Sequence, residues 1–195
     1  MASAQDFTSV PLGDSLFARM QGLSYPKGCR VPRADLRLVR VLHYDANGKV
    51  HQGEIVCNKA IAGDLIEIFR QLYQARYPIE QIRPTDEYGA DDERSMSHNN
   101  SSSFCYRTVS GTTKLSKHAS GMAIDINTRY NPYVRKGKDG RQLVSPANGR
   151  PYADRRKNFP YKIKKGDLLY NLFIQHGFRW GGDWRTMKDY QHFEK

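Results

Sequence analysis

The sequence predicts a fold that combines antiparallel strands with helices. Residues 36–44 alternate in hydrophobicity, the turn sequence DANG follows at 45–48, and residues 50–57 are typical of a return strand. Residues 59–76 then carry apolar side chains at close to the helical period. The centre of the fold is therefore expected to be a β-hairpin with an amphipathic helix packed on it.

The parts of the chain on either side of this centre are less regular. Prolines and glycines punctuate residues 1–35, which we expect to form an irregular N-terminal arm with one short helix near 14–20. A short strand is predicted around 79–84, and the polar residues 86–103 predict a long loop. We expect residues 36–195 to form a single domain, because no internal repeat divides them.

The second half of the chain predicts short strands and one more helix. Residues 129–165 interleave basic and aromatic side chains, which is typical of an inserted flap and leaves room for one hairpin. Asp167 as N-cap and Gly177 after the last turn bound a helix over 168–176. The predicted strands of this half lie at residues 104–107, 122–126 and 190–194.

The composition limits the classes of partner. A net charge of +11 favours a polyanionic partner such as nucleic acid, anionic lipid or an acidic cell-wall polymer, although solubility alone would also explain it. No apolar run is long enough to span a bilayer, so no integral membrane segment is expected. The N-terminus lacks a signal-peptide pattern, which predicts either an intracellular protein or one whose signal has been removed. The 3 cysteines are expected to be free thiols, although one disulfide is possible.

One stretch of the sequence carries a candidate metal site. In SKHASGMAID, His118 and Asp125 lie seven residues apart, and Gly121 between them permits a sharp turn. Strand alternation puts Ala123 and Asp125 on one face. Burying an aspartate in an apolar strand is costly unless the carboxylate is paired or binds a metal. This spacing occurs often by chance, so the stretch alone does not decide between those two roles.

The C-terminal segment supplies the remaining candidates. His192 would complete a set of three ligands, which leaves the fourth position of a tetrahedral zinc open. Asp189 is the carboxylate that could act as a general base, but in an uninterrupted strand it would face away from His192. A bend before the last strand is therefore required. Arg107 is either a cation that stabilises an oxyanion or the member of a surface salt bridge.

At this point the sequence resembles a known family. SKHASGMAID fits the SxHxxGxAxD motif of zinc peptidases that cut the stem peptides of bacterial peptidoglycan. That family contains VanY-like D-Ala-D-Ala carboxypeptidases and phage L-alanyl-D-glutamate endolysins. The resemblance covers roughly residues 80–195, and its other matching segments are DDERSMSHNNSSSF with the following Arg107, WGGDW and KDYQHFEK.

The resemblance implies a function for each candidate residue. The implied zinc ligands are His118, Asp125 and His192. Asp189 is implied as the catalytic base, Arg107 as the contact of the oxyanion or substrate carbonyl, and Ser116 as a neighbour of the site that could touch substrate. The implied fold is α+β, a small antiparallel sheet with packed helices as in D-Ala-D-Ala peptidases, which agrees with the elements above.

The predicted function is that of a zinc-dependent metallopeptidase acting on peptidoglycan stem peptides, in the periplasm or outside the cell. The bond is either L-Ala-D-Glu, as for an endopeptidase, or D-Ala-D-Ala, as for a carboxypeptidase. Carboxypeptidase members commonly have Glu where this chain has Asp189, which favours the endolysin-type branch. The alternative is a non-catalytic, zinc-bound module that binds cell-wall peptide. We do not expect a nucleic-acid partner, because no recognition motif accompanies the basic residues of 129–165.

Overall fold

The first sheet of the fold contains the predicted hairpin. The computed structural model describes residues 6–109 and 111–195, so residues 1–5 of the predicted arm lie outside the described residues. Strands β2 (Leu36–Tyr44) and β3 (Val50–Asn58) pair antiparallel, with Leu36 opposite Asn58 and Tyr44 opposite Val50. The hairpin prediction is confirmed. Strand β1 (Thr8–Pro11) adds to the free edge of β2 and was not predicted.

Helices cover both faces of this sheet. Helix α2 (Lys59–Gln74) begins at Asn58, whose side chain accepts a hydrogen bond from the Ala60 amide. Helix α1 (Asp14–Met20) lies on the opposite face, as the short helix predicted for the arm. The α1 side shares a buried cluster with the sheet, which contains Leu12, Leu16, Met20, Leu36, Leu38, Val56 and Phe104. The arm thus packs on the hairpin, and the boundary at residue 35 stays a prediction.

The main core lies on the other face of the sheet. The buried side of α2 contributes Ile61, Leu65, Ile68, Phe69 and Leu72. Helix α4 (Leu168–Gln175) packs into the same core through Leu169, Leu172 and Phe173. Its predicted caps are confirmed, because Asp167 accepts from the Tyr170 amide and Gly177 has a φ of 82°. Burial of this continuous apolar surface is the dominant stabilising contribution to the fold.

The expectation of a long loop over residues 86–103 is wrong. The segment contains helix α3 (Asp92–Ser97), which begins at Asp91, and the short strand β5 (Asn100–Ser101). Strand β5 pairs in parallel with β4 (Gln81–Ile82), where the longer strand 79–84 was predicted. These elements are too short for a hydrophobic period, and polar side chains stabilise them: the Asn100 side chain bonds both the amide and the carbonyl of Arg83.

The predicted strand over residues 104–107 is also wrong. The segment forms no ladder, because its amides bond to separate partners: that of Phe104 to the Val56 carbonyl and that of Cys105 to the His118 carbonyl. Cys29, Cys57 and Cys105 are all free, which confirms the expectation for the thiols. Within the described parts of the chain, no helix is long and apolar enough to cross a membrane.

Two further sheets complete the C-terminal half. Strands β6 (Ala123–Asp125), β11 (His192–Glu194) and β9 (Arg179–Trp180) form one of them, with β11 in the middle. The predicted flap contains the hairpin of β7 (Tyr133–Lys136) and β8 (Gln142–Ser145), and β10 (Met187–Asp189) adds to β7. The α+β class agrees with this mixture. The expected single sheet is wrong, because the described strands form three antiparallel sheets and one parallel pair.

Candidate active site

The structure brings His118, Asp125 and His192 together. Asp125 on β6 lies directly opposite His192 on β11, and the Asp125 Oδ1 atom is 3.0 Å from His192 Nδ1. The Nε2 atom of His118 lies 3.1 Å from Asp125 Oδ2 and 3.2 Å from His192 Nδ1. All three side chains are buried, and one ligand atom from each lies within 4.8 Å of the others. We call these three residues the His-Asp-His cluster.

The local sequence explains how His118 reaches the cluster. His118 lies in a 3₁₀ turn over Lys117–Ser120, and the Ser116 hydroxyl caps that turn by accepting a hydrogen bond from the His118 amide. Gly121 ends the turn with a φ of 69°, and a Cβ there would lie 2.6 Å from the Asn58 amide nitrogen. The turn therefore packs tightly on the end of β3, and the predicted role of Gly121 is confirmed.

Strand alternation places the rest of the motif as predicted. Ile124 and Ile126 enter the main core, and Asp125 points the other way into the cluster. The negative charge of Asp125 is held by its neighbours. Burial alone would raise the pKa of this carboxyl, but charge interactions and hydrogen bonds with His118 and His192 hold it well below its usual range.

Each histidine of the cluster has a second partner that orients its ring. The Nδ1 of His118 donates to the Ser103 carbonyl at 2.6 Å, so its Nε2 lone pair faces the cluster. His192 Nε2 lies 3.1 Å from Glu194 Oε2, and so its Nδ1 faces the cluster. Burial lowers the pKa of His192, but the hydrogen bonds with Asp125 and Glu194 outweigh burial and raise it to about 10. Two oriented imidazoles and a carboxylate form a donor set that fits a zinc ion.

The cluster lies in a cavity of about 890 Å³. This is the size of a site for a small peptide or another ligand of similar bulk. Every candidate residue from the sequence lines it: His118, Asp125, His192, Asp189, Arg107 and Ser116. The structure therefore brings all of them to one site.

The C-terminal part of the chain also matches a known family. Residues 110–195 match the family model described as D-alanyl-D-alanine carboxypeptidase. This part of the chain is therefore similar to that peptidase family. The matched range contains the His-Asp-His cluster, Ser116 and Asp189, whereas Arg107 lies just before it. No curated protein and no solved structure matches the chain. The match supports a hydrolase of the peptidase class that acts on peptidoglycan.

Asp189 of this peptidase lies on a different strand from His192. Strand β10 ends at Asp189, residues 190–191 turn, and β11 begins at His192. The break removes the obstacle of strand parity, so both side chains reach the cavity. The tight approach of Gly181 favours this backbone path, because a Cβ there would lie 2.5 Å from the Asp189 carbonyl oxygen.

The described residues leave one oxygen of the Asp189 carboxylate without a hydrogen bond. Its Oδ1 atom is buried and has no hydrogen-bond partner within the residues that the structure describes. Burial raises the pKa of Asp189 to about 7, with the negative charges of Asp125 and Asp92 adding to the effect. Asp189 is therefore poised to hold or release a proton near neutral pH.

Arg107 of the peptidase forms an ion pair that faces the cavity. Its guanidinium contacts the Asp92 carboxylate at 2.8 Å, and both side chains line the cavity. Burial lowers the pKa of Arg107, but the carboxylates of Asp92, Asp125 and Asp189 outweigh burial and raise it. Both expectations for Arg107 are therefore met in part. It forms an ion pair with Asp92, and it lines the same cavity as the His-Asp-His cluster. Sequence reasoning missed Asp92, which was placed in the wrongly predicted loop.

Glu194 is the second residue that sequence reasoning missed. A signal for it existed, because residues two apart in a strand share a face, and Glu194 follows His192 at that spacing. Besides His192, its carboxylate contacts Arg179 at 3.2 Å from the neighbouring strand β9. The acid thus connects the cluster to the edge of the sheet.

Glu194→Ala is expected to weaken the binding of added zinc to the His-Asp-His cluster by about 10–100-fold, because removing the outer partner of a histidine that would hold the metal loosens the ring and lowers its basicity. Competition with a chromophoric chelator measures the affinity. Arg179→Gln is the matched control: it removes the exposed partner of the same carboxylate, and its effect should be small. A zinc affinity of Glu194→Ala equal to that of the wild type would contradict the role of Glu194 in orienting His192.

Proposed function

We propose that the chain is a zinc-dependent peptidase that hydrolyses an amide bond in peptidoglycan stem peptides. The observation that carries the proposal is the buried Oδ1 of Asp189, which has no hydrogen-bond partner among the described residues and lies in the same cavity as the His-Asp-His cluster. A purely structural metal site has no use for a carboxylate left available in this way. The family match supports the substrate class.

The roles of the residues follow from their chemistry. His118, Asp125 and His192 would hold the zinc, which when bound supplies a Lewis acid that polarises the amide carbonyl and acidifies water. Asp189 takes a proton from the attacking water and passes it to the nitrogen of the leaving amine. A pKa near 7 suits both transfers, because neither protonation state is strongly favoured at neutral pH.

Charge that develops on the carbonyl oxygen requires a cation. Arg107 is the candidate, since its guanidinium lines the cavity and Asp92 restricts its position from the side. Ser116 lines the cavity and also caps the turn that carries His118. Through this cap it helps to position His118. Contact of Ser116 with substrate remains a proposal from the family resemblance.

Of the two candidate bonds, we propose L-Ala-D-Glu, and thus an endopeptidase of the endolysin type working in the periplasm or outside the cell. Asp rather than Glu at position 189 favours this branch. The net charge of +11 would hold the enzyme on an anionic wall.

The test combines metal analysis with hydrolysis of a defined muropeptide that contains both bonds. We expect one zinc per chain, cleavage at L-Ala-D-Glu, loss of cleavage after chelation, and recovery when zinc is added back. Mass spectrometry of the products identifies the bond. Cleavage at D-Ala-D-Ala would overturn the specificity alone. Zinc-dependent binding of the muropeptide without turnover would overturn the enzyme in favour of a binding module.

A further inference from the structure

One wall of the cavity is the face of a β-sheet. In the β10-β7-β8 sheet, directly opposed residues lie on the same face, so the sheet presents them in rows. All members of two successive rows line the cavity. The first row is Asp189, Tyr133 and Ser145, and the second is Met187, Arg135 and Leu143. We call these two rows the sheet wall. The wall therefore begins at the proposed base and extends away from it.

Arg135 is the cation of the sheet wall, and the described residues leave its charge unpaired. It is exposed and has no ion-pair or hydrogen-bond partner among the residues that the structure describes. Apart from Asp189, the acidic residues that line the cavity interact with groups other than Arg135. Asp92 pairs with Arg107, and Glu194 contacts His192 and Arg179. Asp125 belongs to the His-Asp-His cluster.

Other residues that line the cavity add to this positive charge. Arg30 and Lys114 line it, and neither side chain has an ion-pair partner within residues 6–109 and 111–195. A cavity lined by several cations that the described residues leave unpaired attracts a ligand with free carboxylates. An uncharged or basic peptide would leave these cations without partners.

The register places Arg135 at a defined distance from the chemistry. Arg135 lies two residues beyond the partner of Asp189 along β7, a diagonal spacing of roughly 7–8 Å. An extended peptide advances about 3.3 Å per residue, so this spacing corresponds to about two residues of substrate. The long side chain of Arg135 can also reach the substrate residue that lies next to the scissile bond.

We propose that the sheet wall binds the substrate peptide and that Arg135 binds a carboxylate of that peptide within about two residues of the scissile bond. The ligand class is an acidic peptide with a free carboxylate close to the cleaved amide. This inference rests on the proposed function, since it specifies the substrate of the same cavity. Arg135 thereby becomes a residue that determines specificity.

The chain offers a matched control at the next position. Lys136 carries the same charge on the same strand, but alternation turns its side chain to the other face, and it does not line the cavity. Arg135→Gln and Lys136→Gln therefore remove one positive charge each from neighbouring positions. A general effect of net charge would be the same in both variants.

The test measures binding in zinc-loaded protein that carries Asp189→Asn to prevent turnover. The probe is a synthetic stem peptide containing both the L-Ala-D-Glu and the D-Ala-D-Ala bond, with its carboxylates free or converted to carboxamides. By calorimetry, we expect Arg135→Gln to weaken binding of the free-carboxylate peptide about 10–100-fold, the range for a charge-assisted hydrogen bond. Lys136→Gln should match the parent, and the carboxamide peptide should bind the parent and the Arg135→Gln variant with equal affinity.

The results separate this inference from the proposed function. An unchanged affinity in Arg135→Gln, an equal loss in Lys136→Gln, or no binding of either peptide overturns the carboxylate site. Hydrolysis by zinc-loaded protein with Asp189 intact is measured separately. A carboxylate-dependent loss at Arg135 in a protein that does not hydrolyse the peptide would uphold the binding site and overturn the peptidase.

Discussion

Asp189→Asn is expected to lower kcat by about 10²–10⁴-fold, the usual contribution of a positioned general base. The amide has the shape of the carboxylate but cannot take the proton from water. Zinc should remain bound, because the cluster atoms that converge belong to His118, Asp125 and His192. Steady-state hydrolysis of the muropeptide and zinc content by mass spectrometry measure the two effects.

The control for this prediction is Asp183→Asn. Asp183 lies in the same C-terminal segment but pairs with Lys165 at 2.8 Å and does not line the cavity, so its kcat should stay near that of the wild type. Equal turnover of the Asp189→Asn and wild-type proteins would contradict the base. Loss of zinc from Asp189→Asn would instead show that the residue supports the metal.

Local sequence patterns were sufficient to predict the elements that are long and half-buried. The β2-β3 hairpin, α2 and α4 were predicted within about two residues, because alternation, the helical period and caps are all written in neighbouring residues. The same holds for Asp125, whose place on a short apolar strand predicts that it faces away from the core.

Elements held by polar contacts could not be predicted in this way. Helix α3 has only six residues, which is too short to show an apolar period in the sequence. It is stabilised by its N-cap and by the hydrogen bonds of Asn100 next to it. The Asp92–Arg107 ion pair joins residues that no spacing rule connects. It depends on where α3 packs, which is a property of the whole fold.

The position of Asp189 shows how a long-range pairing changes a local prediction. The predicted strand over 190–194 required a bend before it, because an uninterrupted strand would turn Asp189 and His192 to opposite faces. Pairing of β10 with β7 from the flap interrupts that strand, and β11 then pairs with β6 and β9. The flap hairpin thus positions the proposed base and also forms the sheet wall beside it, so the basic segment 129–165 is part of the site.

Arg107→Gln is expected to lower kcat by about 10²–10³-fold, as for removal of one group that stabilises an oxyanion. The change should fall mainly on kcat rather than KM, because the guanidinium interacts most strongly with charge that develops in the transition state. Arg83→Gln is the control, since Arg83 is an arginine near Glu87 that does not line the cavity. Steady-state kinetics with the muropeptide measures both constants.

The loss in Arg107→Gln has a second potential cause, because the variant leaves the Asp92 carboxylate without its partner. Partial burial raises the pKa of Asp92, whose side chain is 36% exposed, so an unpaired carboxylate there would destabilise α3 and the cavity to a modest extent. The double variant Asp92→Asn/Arg107→Gln separates the causes. It removes the stranded charge and should recover stability in thermal unfolding, while kcat stays low because the cation is still missing. Recovery of kcat in the double variant would contradict a direct role of Arg107 in the transition state.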